Sequence, residues 1–355
     1  MSELDMQKVE QLYGELFGKV EGAMTCALGQ LGDKLGLYRA LADSGPSTSK
    51  EIASATELDE RWVREWLRQQ AAAGILQYEH DRFSLTPEAE EVFAREESPL
   101  FGAGILDSVM GLMQTVDRLE ESFRSGVGEP YDSFGKQTAV GIERTFRPFF
   151  RSRLIPEVLP VLDGVVAKLE AGAKVADVGC GAAVALVEMS KAFPNSEFHG
   201  YDNSRRALAR AKVNHTEAGT RNLKIHDTTH ERLSEDETFD LITTFDCIHD
   251  MTHPAETISA IRRSLKPDGT WFVADIRGYP TFAENLASQP FAGMLYGFSV
   301  ICCMRSALAV PGGAGLGTLG FPESEARKMA EEAGFTRFRK HDFQNPLNDY
   351  YEIRP

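Results

Sequence analysis

The chain is short of cysteine, of positive charge and of long apolar runs, and each shortage removes a class of protein. Its five cysteines in 355 residues, at positions 26, 180, 247, 302 and 303, include no C-x-x-C spacing. That spacing excludes a disulfide framework and a thiolate zinc ribbon, so the cysteines are expected to be reduced and mostly buried. Lysine and arginine number 38 against 53 aspartates and glutamates, a net charge of −15. Phosphate recognition needs a basic face, so nucleic acid is not expected as the main partner. No apolar run reaches the roughly 18 residues of a membrane span, and the acidic start, Met1 to Asp5, is unlike a signal peptide. A cytoplasmic protein without a membrane partner is the expectation. What remains is ordinary globular material, 42% hydrophobic and 26% charged. The length suits a doubly wound domain plus a second domain.

The stretch from Lys174 to Ala183 organises the chain. Val175 to Val178 reads as a buried parallel strand, Gly179 and Gly181 as a tight turn, and Ala183 to Phe193 as the helix that follows. Glycines there let the backbone approach a ligand, and the free N–H groups of the first helical turn favour a polar or anionic group. A second strand, Glu197 to Tyr201, ends in Asp202, 21 residues beyond Gly181. An acid in that place can accept hydrogen bonds from both hydroxyls of a ribose, so the ligand reads as a nucleoside. The turn lacks the third glycine of a dinucleotide fingerprint, and Asp177, two residues before the first glycine, would repel a diphosphate. It would suit a cationic amine, or the backbone of the turn.

Asp177-Val-Gly-Cys-Gly181, followed by Gly200-Tyr-Asp202, resembles the class I S-adenosylmethionine-dependent methyltransferases. The resemblance covers about residues 145–355. It implies a seven-stranded, mostly parallel Rossmann-like sheet with S-adenosylmethionine as cofactor. Asp177, Gly179 and Gly181 would then surround its methionine part and Asp202 its ribose, with Asp227 and Thr228 at the adenine. Asn203, Phe245 and Asp246 complete the implied cofactor set. Ala183 stands where the family's last glycine is usual, and Ala182-Ala183 where similar chains have His-Gly.

Beyond Asp202 the alternation of strand and helix continues. A helix is expected over 204–218, strands over 223–226, 239–245 and 270–274, and a helix over 254–265. A helical insertion over about 282–308, a glycine-rich loop over 311–320, a helix over 323–333 and a closing pair of strands, 338–343 and 350–353, complete the unit. Residues 151–355 are assigned to this methyltransferase domain. A histidine, His249, lies just past the strand ending at Phe245, at the rim where ligands of an open sheet bind. Histidine is a suitable base for a phenol or alcohol near neutral pH, and a nearby carboxylate would orient it. His249-Asp250 matches the His-Asp pair of small-molecule O-methyltransferases, which implies a catalytic base at His249. Asp275 sits where those enzymes have an assisting acid. Their later assisting glutamate has no counterpart beside Gly312-Gly313. The runs His226 to His230 and His249 to His253 tempt a metal reading, but both begin at strand ends and neither is H-E-x-x-H, so no metal is expected.

The first 95 residues read as helix, helix, helix and a small hairpin, an α-helical winged-helix arrangement. Between Ser47 and Arg95 six basic residues face ten acidic ones, net minus four, which speaks against a DNA footprint. Loosely, this part resembles the N-terminal dimerisation domain of many O-methyltransferases, so a homodimer is expected. Residues 96–150, with Phe101, Phe123, Tyr131, Phe134, Phe146, Phe149 and Phe150, are expected to link the domains and cover a substrate. An amphipathic helix is expected over 154–169. The function expected is methyl transfer to a small molecule, hydroxyl oxygen favoured. The alternatives are an N- or C-methyltransferase and a cofactor-binding transcription regulator.

Overall fold

A computed structural model describes residues 4–355 and divides into two compact units, residues 1–110 with 140–148, and residues 111–139 with 149–355. The stretch 96–150 is thus distributed between both.

In the first unit α1 (Met6–Lys34) is followed by α2 (Leu37–Ser44), α3 (Ser49–Thr56), α4 (Glu60–Ala72), the hairpin β1 (Gln77–Glu79) and β2 (Arg82–Ser84), and α5 (Pro87–Phe93). The boundaries follow from local chemistry. Thr48 and Glu51 close a reciprocal capping box at the start of α3, and Asp59 accepts from the N–H groups of Arg61 and Trp62 at the start of α4. The inward positions of α4, Val63, Trp66 and Leu67, recur at helical spacing and pack with Leu37, Leu41, Ile52, Phe83 and Leu85. Two of its three arginines are answered on the same helix, Arg61 at 2.5 Å from Glu65 and Arg64 at 3.7 Å from Glu60, while Arg68 is exposed. Arg144 meets three acids of this unit, Asp33, Asp107 and Glu96, at 2.6, 2.5 and 3.1 Å.

The helices α6 (Gly104–Met113), α7 (Leu119–Ser125) and α8 (Gly135–Phe149) lead toward the sheet. The single amphipathic helix expected over 154–169 is instead three pieces. A wide π-helical stretch, Phe150–Val158, runs into a 3-10 turn, Leu159–Val161, and α9 (Val165–Ala171) follows after a break at Gly164. Pro156 and Pro160 lack the N–H that a continuous helix needs, so the hydrogen-bond ladder cannot run straight through.

The second unit is a seven-stranded sheet in the order β5-β4-β3-β6-β7-β9-β8. Its strands are β3 (Lys174–Val178), β4 (Glu197–Asp202), β5 (Leu223–Asp227), β6 (Phe239–Phe245), β7 (Leu265–Ile276), β8 (Arg337–His341) and β9 (Asn348–Arg354). The β3–β4, β3–β6, β4–β5 and β6–β7 pairs are parallel, while β9 runs antiparallel to both β7 and β8. This is the Rossmann-like methyltransferase sheet that the residues imply, with one reversed strand. β7 begins five residues earlier than expected, because Leu265 already pairs with Phe239 before a register irregularity. The helices α10 (Val184–Ala192), α11 (Arg205–Ala218), α12 (Pro254–Ser264), α13 (Phe282–Ser288), α14 (Ala292–Phe298), α15 (Met304–Ala307) and α16 (Glu323–Glu332) complete the unit. The fully buried Ile242, Ile258, Ile261, Trp271 and Ile353 share one core. Strand order reverses between β3 and β6. Such a reversal opens a crevice at the carboxyl ends of the two strands, which is where a ligand of an open sheet is held.

Candidate functional site

Two loops flank that crevice, the turn Gly179–Ala183 after β3 and the segment Asp246–Asp250 after β6. The turn is left-handed at Gly179 (φ 74°), Gly181 (φ 54°) and Ala183 (φ 58°). A side chain at Gly179 would collide with Cys247, whose Sγ would stand 2.7 Å from the added carbon. Cys247 in turn donates its thiol proton to the carbonyl of Val178 at 3.1 Å, which ties the two loops together. At Gly181 the added carbon would meet no atom within 4 Å, so that face of the turn lies open as a cradle for a ligand. Ala183 takes the backbone conformation that a glycine would take, which accounts for the tolerance of alanine where the glycine is usual, at a cost of about 1 kcal/mol.

Asp202 faces the turn from the end of β4. Its Oδ2 accepts from the Gly181 N–H at 2.8 Å and its Oδ1 from the Ser204 N–H at 2.7 Å. A carboxylate has about four lone-pair sites, and with the Asn203 N–H as a third donor one remains for a hydroxyl. Burial raises its pKa above the ordinary aspartate value, opposed by the N–H groups of Ser204, Gly181 and Asn203. Asp177 is buried on β3, accepts from the Thr243 hydroxyl at 2.8 Å, and is pushed up to about 7 by burial. Asp227 is the register partner of Asp202 and accepts from the N–H and hydroxyl of Thr229, while the Thr228 N–H donates to the Asp202 carbonyl at 2.9 Å. Asn203 is exposed beside them. The S-adenosylmethionine set named from the sequence thus fits the geometry: an open glycine cradle, an acid with a free lone pair, and a second acid below.

The other loop carries the acid–base groups. His249 Nδ1 lies 2.5 Å from Asp275 Oδ1, and the two residues are only 2% and 1% exposed. Burial alone would lower the histidine; the Asp275 charge overrides it and holds the imidazole well above its ordinary value. The ring is therefore oriented by the acid from β7 rather than by its neighbour Asp250. Asp250 lies close by, and burial pushes it up to about 7. Asp246 has a left-handed backbone (φ 49°), accepts from Asn348 Nδ2 at 2.5 Å, and is raised to about 8 by burial and by Asp275. Phe245 packs edge-on against Phe150, ring centres 4.9 Å apart.

Three residues near these loops are joined to them by no motif spacing, although Tyr131 is among the aromatic residues expected to cover a substrate. Asp132 caps α11 from 72 residues away, accepting from the Ser204 hydroxyl at 2.7 Å and from the Arg205 and Arg206 N–H groups. That fixes the helix directly beyond Asp202. Tyr131 beside it is desolvated, and its phenol is raised well above the usual value by burial and by the charges of Cys302, Asp250, Cys303 and Asp202. The Cys303 thiol is pushed well above its ordinary value by Cys302 and by burial. Of the two histidine runs considered for a metal, His226 instead faces His199 at 2.9 Å. Among the described residues no group of three or more potential ligands gathers.

Residues 169–311 match the family model of a methyltransferase domain, and residues 23–95 that of an Rv2258c-like winged HTH domain. The chain is 26% identical over 188 residues to a ubiquinone biosynthesis O-methyltransferase of Aliivibrio fischeri, a match that covers 51% of this chain and 72% of that protein. An O-methyltransferase family protein from Burkholderia thailandensis superposes with a TM-score of 0.67 at 16% identity, covering 99% of each chain. Human N-acetylserotonin methyltransferase in complex with SAM superposes with a TM-score of 0.65 at 16% identity, covering 100% of this chain and 99% of that one. At such identities the superpositions speak for the fold, and the family models for the domains. The chain thus carries a methyltransferase domain over residues 169–311 behind a winged-helix domain over residues 23–95, on a fold shared with small-molecule methyltransferases.

Proposed function

We propose that the protein methylates a hydroxyl oxygen of a small-molecule acceptor, with His249 as the base that takes the hydroxyl proton. The observation that carries this reading is the buried 2.5 Å contact of His249 Nδ1 with Asp275 at the rim of the switch crevice. When bound, S-adenosylmethionine supplies an electrophilic methyl group on a sulfonium. The chain's own task is then alignment and removal of one proton. Asp275 fixes the Nδ1–H tautomer and stabilises the imidazolium, and because the ring is held well above its ordinary value, the neutral form whose Nε2 can receive the proton gains toward alkaline pH. Asp202 holds a ribose hydroxyl, Gly179 and Gly181 admit the methionine part, and Asp177 answers its ammonium. Asp227, Thr228, Asn203, Phe245 and Asp246 line the rest, and Asp250 keeps the base loop acidic. The likeness to O-methyltransferases such as that of ubiquinone biosynthesis favours oxygen as the acceptor atom.

The N-terminal domain serves dimerisation in this reading, in a cytoplasmic protein. Leu12, Tyr13, Leu16, Phe17, Val20 and Met24 form an exposed apolar stripe on α1 that a second copy would bury. The pairing of Arg61 and Arg64 with acids of their own helix argues against phosphate contact.

Calorimetric titration with S-adenosylmethionine and S-adenosylhomocysteine, followed by an acceptor screen, tests the reading. Micromolar binding of both is expected, and Asp202→Ala should weaken it by roughly tenfold to a hundredfold, the worth of a charged hydrogen bond. His249→Ala should retain that binding while turnover falls about 10²–10⁴-fold. Undiminished turnover in His249→Ala would remove the base, and would turn attention to amine or carbon acceptors that need none.

A further inference from the structure

The helical insertion after β7 buries an arginine that the acid–base site does not use. Arg305, on α15, is 2% exposed. An arginine taken out of water destabilises the fold unless its donors are met, so each donor has to be accounted for. Nη1 donates to the Thr115 hydroxyl at 2.8 Å, and the guanidinium lies over the Phe134 ring, 5.3 Å from its centre. Nη2 stands 2.9 Å from Glu129 Oε1, close enough to share charge, yet neither Nη2 nor Nε makes a hydrogen bond. These two nitrogens form one edge of the guanidinium, the parallel fork that grips both oxygens of a carboxylate. The local charge leaves room for such a guest, because Arg305 and Arg118 share the single acid Glu129.

The cluster beside the guanidinium is apolar. Phe134 is buried there with Leu112 and Cys302, and Tyr131, Phe298 and Ile301 are half-buried against them. The helix that carries Arg305 is clamped from two sides. Toward the base loop, the Ser306 hydroxyl donates to the carbonyl of Asp250 at 3.1 Å. On the other side the Gly128 N–H donates to the Leu308 carbonyl at 2.8 Å, and the Glu129 N–H to the Arg305 carbonyl at 3.0 Å. A side chain at Gly128 would run into that last carbonyl, 1.8 Å from the added carbon. We propose that Arg305 anchors the acceptor, and that the acceptor is an aromatic hydroxy acid, its ring against Tyr131 and Phe298 and its carboxylate on the Nε–Nη2 edge. The carboxylate gains two charged hydrogen bonds, and the guanidinium gains partners for donors that burial leaves bare. On the base loop His249 is already paired with Asp275 and has Asp246 and Asp250 for neighbours, so a carboxylate finds no free counter-charge there. The molecule therefore enters with its hydroxyl toward His249. That orientation rests on the reading of His249 as the base; the anchor itself does not.

The test reads binding and needs no turnover. The full-length protein, in the presence of S-adenosylhomocysteine, is titrated by calorimetry with para-hydroxybenzoate and para-hydroxycinnamate, each beside its own primary amide, which keeps the shape and loses the charge. At least one acid is expected to bind about tenfold or more tightly than its amide. Arg305→Lys keeps the positive charge but has no fork, and should bring that ratio close to one. Glu129→Gln removes the acid that competes for the guanidinium, and should raise the ratio several-fold. Acids that bind no better than their amides, or that do not bind at millimolar concentration, overturn the anchor, as does a ratio unchanged by Arg305→Lys. If Arg305→Lys does not fold, judged by circular dichroism, Glu129→Gln decides, and an unchanged ratio there overturns it. Loss of His249 as the base would leave the acid-to-amide ratio standing, and loss of the ratio would leave the His249→Ala result standing, so the two readings fail separately.

Discussion

Two histidine pairs lie on the same sheet, and their acidity is driven in opposite directions. At the rim of the crevice His249 meets Asp275 and is raised well above the ordinary imidazole value. On the outer strands His199 meets His226, their nitrogens 2.9 Å apart, and is lowered to about 4. Both rings are buried, at 2% and 6% exposure, so burial does not separate them. Nor does the mere presence of an acid, since Glu197 stands 3.2 Å from His199. What differs is where the acid is. Asp275 is sealed in the core, whereas the Glu197 side chain is 43% exposed and is shared with Lys224 at 2.6 Å. Charge acts strongly through protein interior and weakly through water. Of these two acids, the one sealed in with its histidine outweighs burial, and the exposed one does not.

The strongest way to break the contrast is Asp275→Asn, which keeps a hydrogen-bonding side chain and removes the charge. His249 would then resemble His199, with burial unopposed. Its pKa falls, so the acid limb of the kcat/KM profile should move to lower pH. The plateau should drop about 10²-fold, because the imidazolium loses its counter-charge. An acid limb that stays in place would separate Asp275 from the titration of His249.

How far the site was legible follows from the same physics. The glycine turn, Asp202 and the succession of strands depend on local chemistry, namely left-handed backbone, short continuous apolar runs and strand-end acids, and these are written in consecutive residues. The acid that pairs with His249 was ambiguous in the sequence, since Asp250 is adjacent and Asp275 is 26 residues away. Pairing of β6 with β7 decides it, and register is a property of the sheet rather than of the loop. Asp132, Tyr131 and Cys303 reach the site through segments that no spacing connects to it. The break of the expected helix over 154–169 was foreshadowed by Pro156 and Pro160, but its π-helical form was not.

A smaller effect tests the other half of the contrast. His199 titrates near 6.5 in the unfolded chain and about 4 in the folded one. Between those values the unfolded state holds the extra proton, so stability is full above 6.5 and falls as pH drops toward 4. At pH 5 the loss is about 2 kcal/mol. In His199→Phe the ring still stacks beside Tyr201 but cannot titrate. Urea unfolding at pH 7 and pH 5 should show that much less difference than in the parent chain. Equal differences in the two proteins would place the acid sensitivity elsewhere.

Glu197→Gln is the mildest change and asks whether an exposed acid matters at all. Burial of the ring, the proximity of His226 and the positive charges of Lys174 and Lys224 all act to keep His199 neutral, and Glu197 alone opposes them. Because that carboxylate faces water and a lysine, its removal should alter stability by less than about 1 kcal/mol, the usual worth of an exposed pair. The acid window of His199 should widen only slightly toward lower pH, since the ring is already neutral over most of it. Set beside Asp275→Asn, the two carboxylate-to-amide changes differ chiefly in burial. A large effect of Glu197→Gln on the pH dependence of unfolding would mean that the exposed charge couples to the ring as strongly as the sealed one, and burial of the acid would lose its place as the deciding variable.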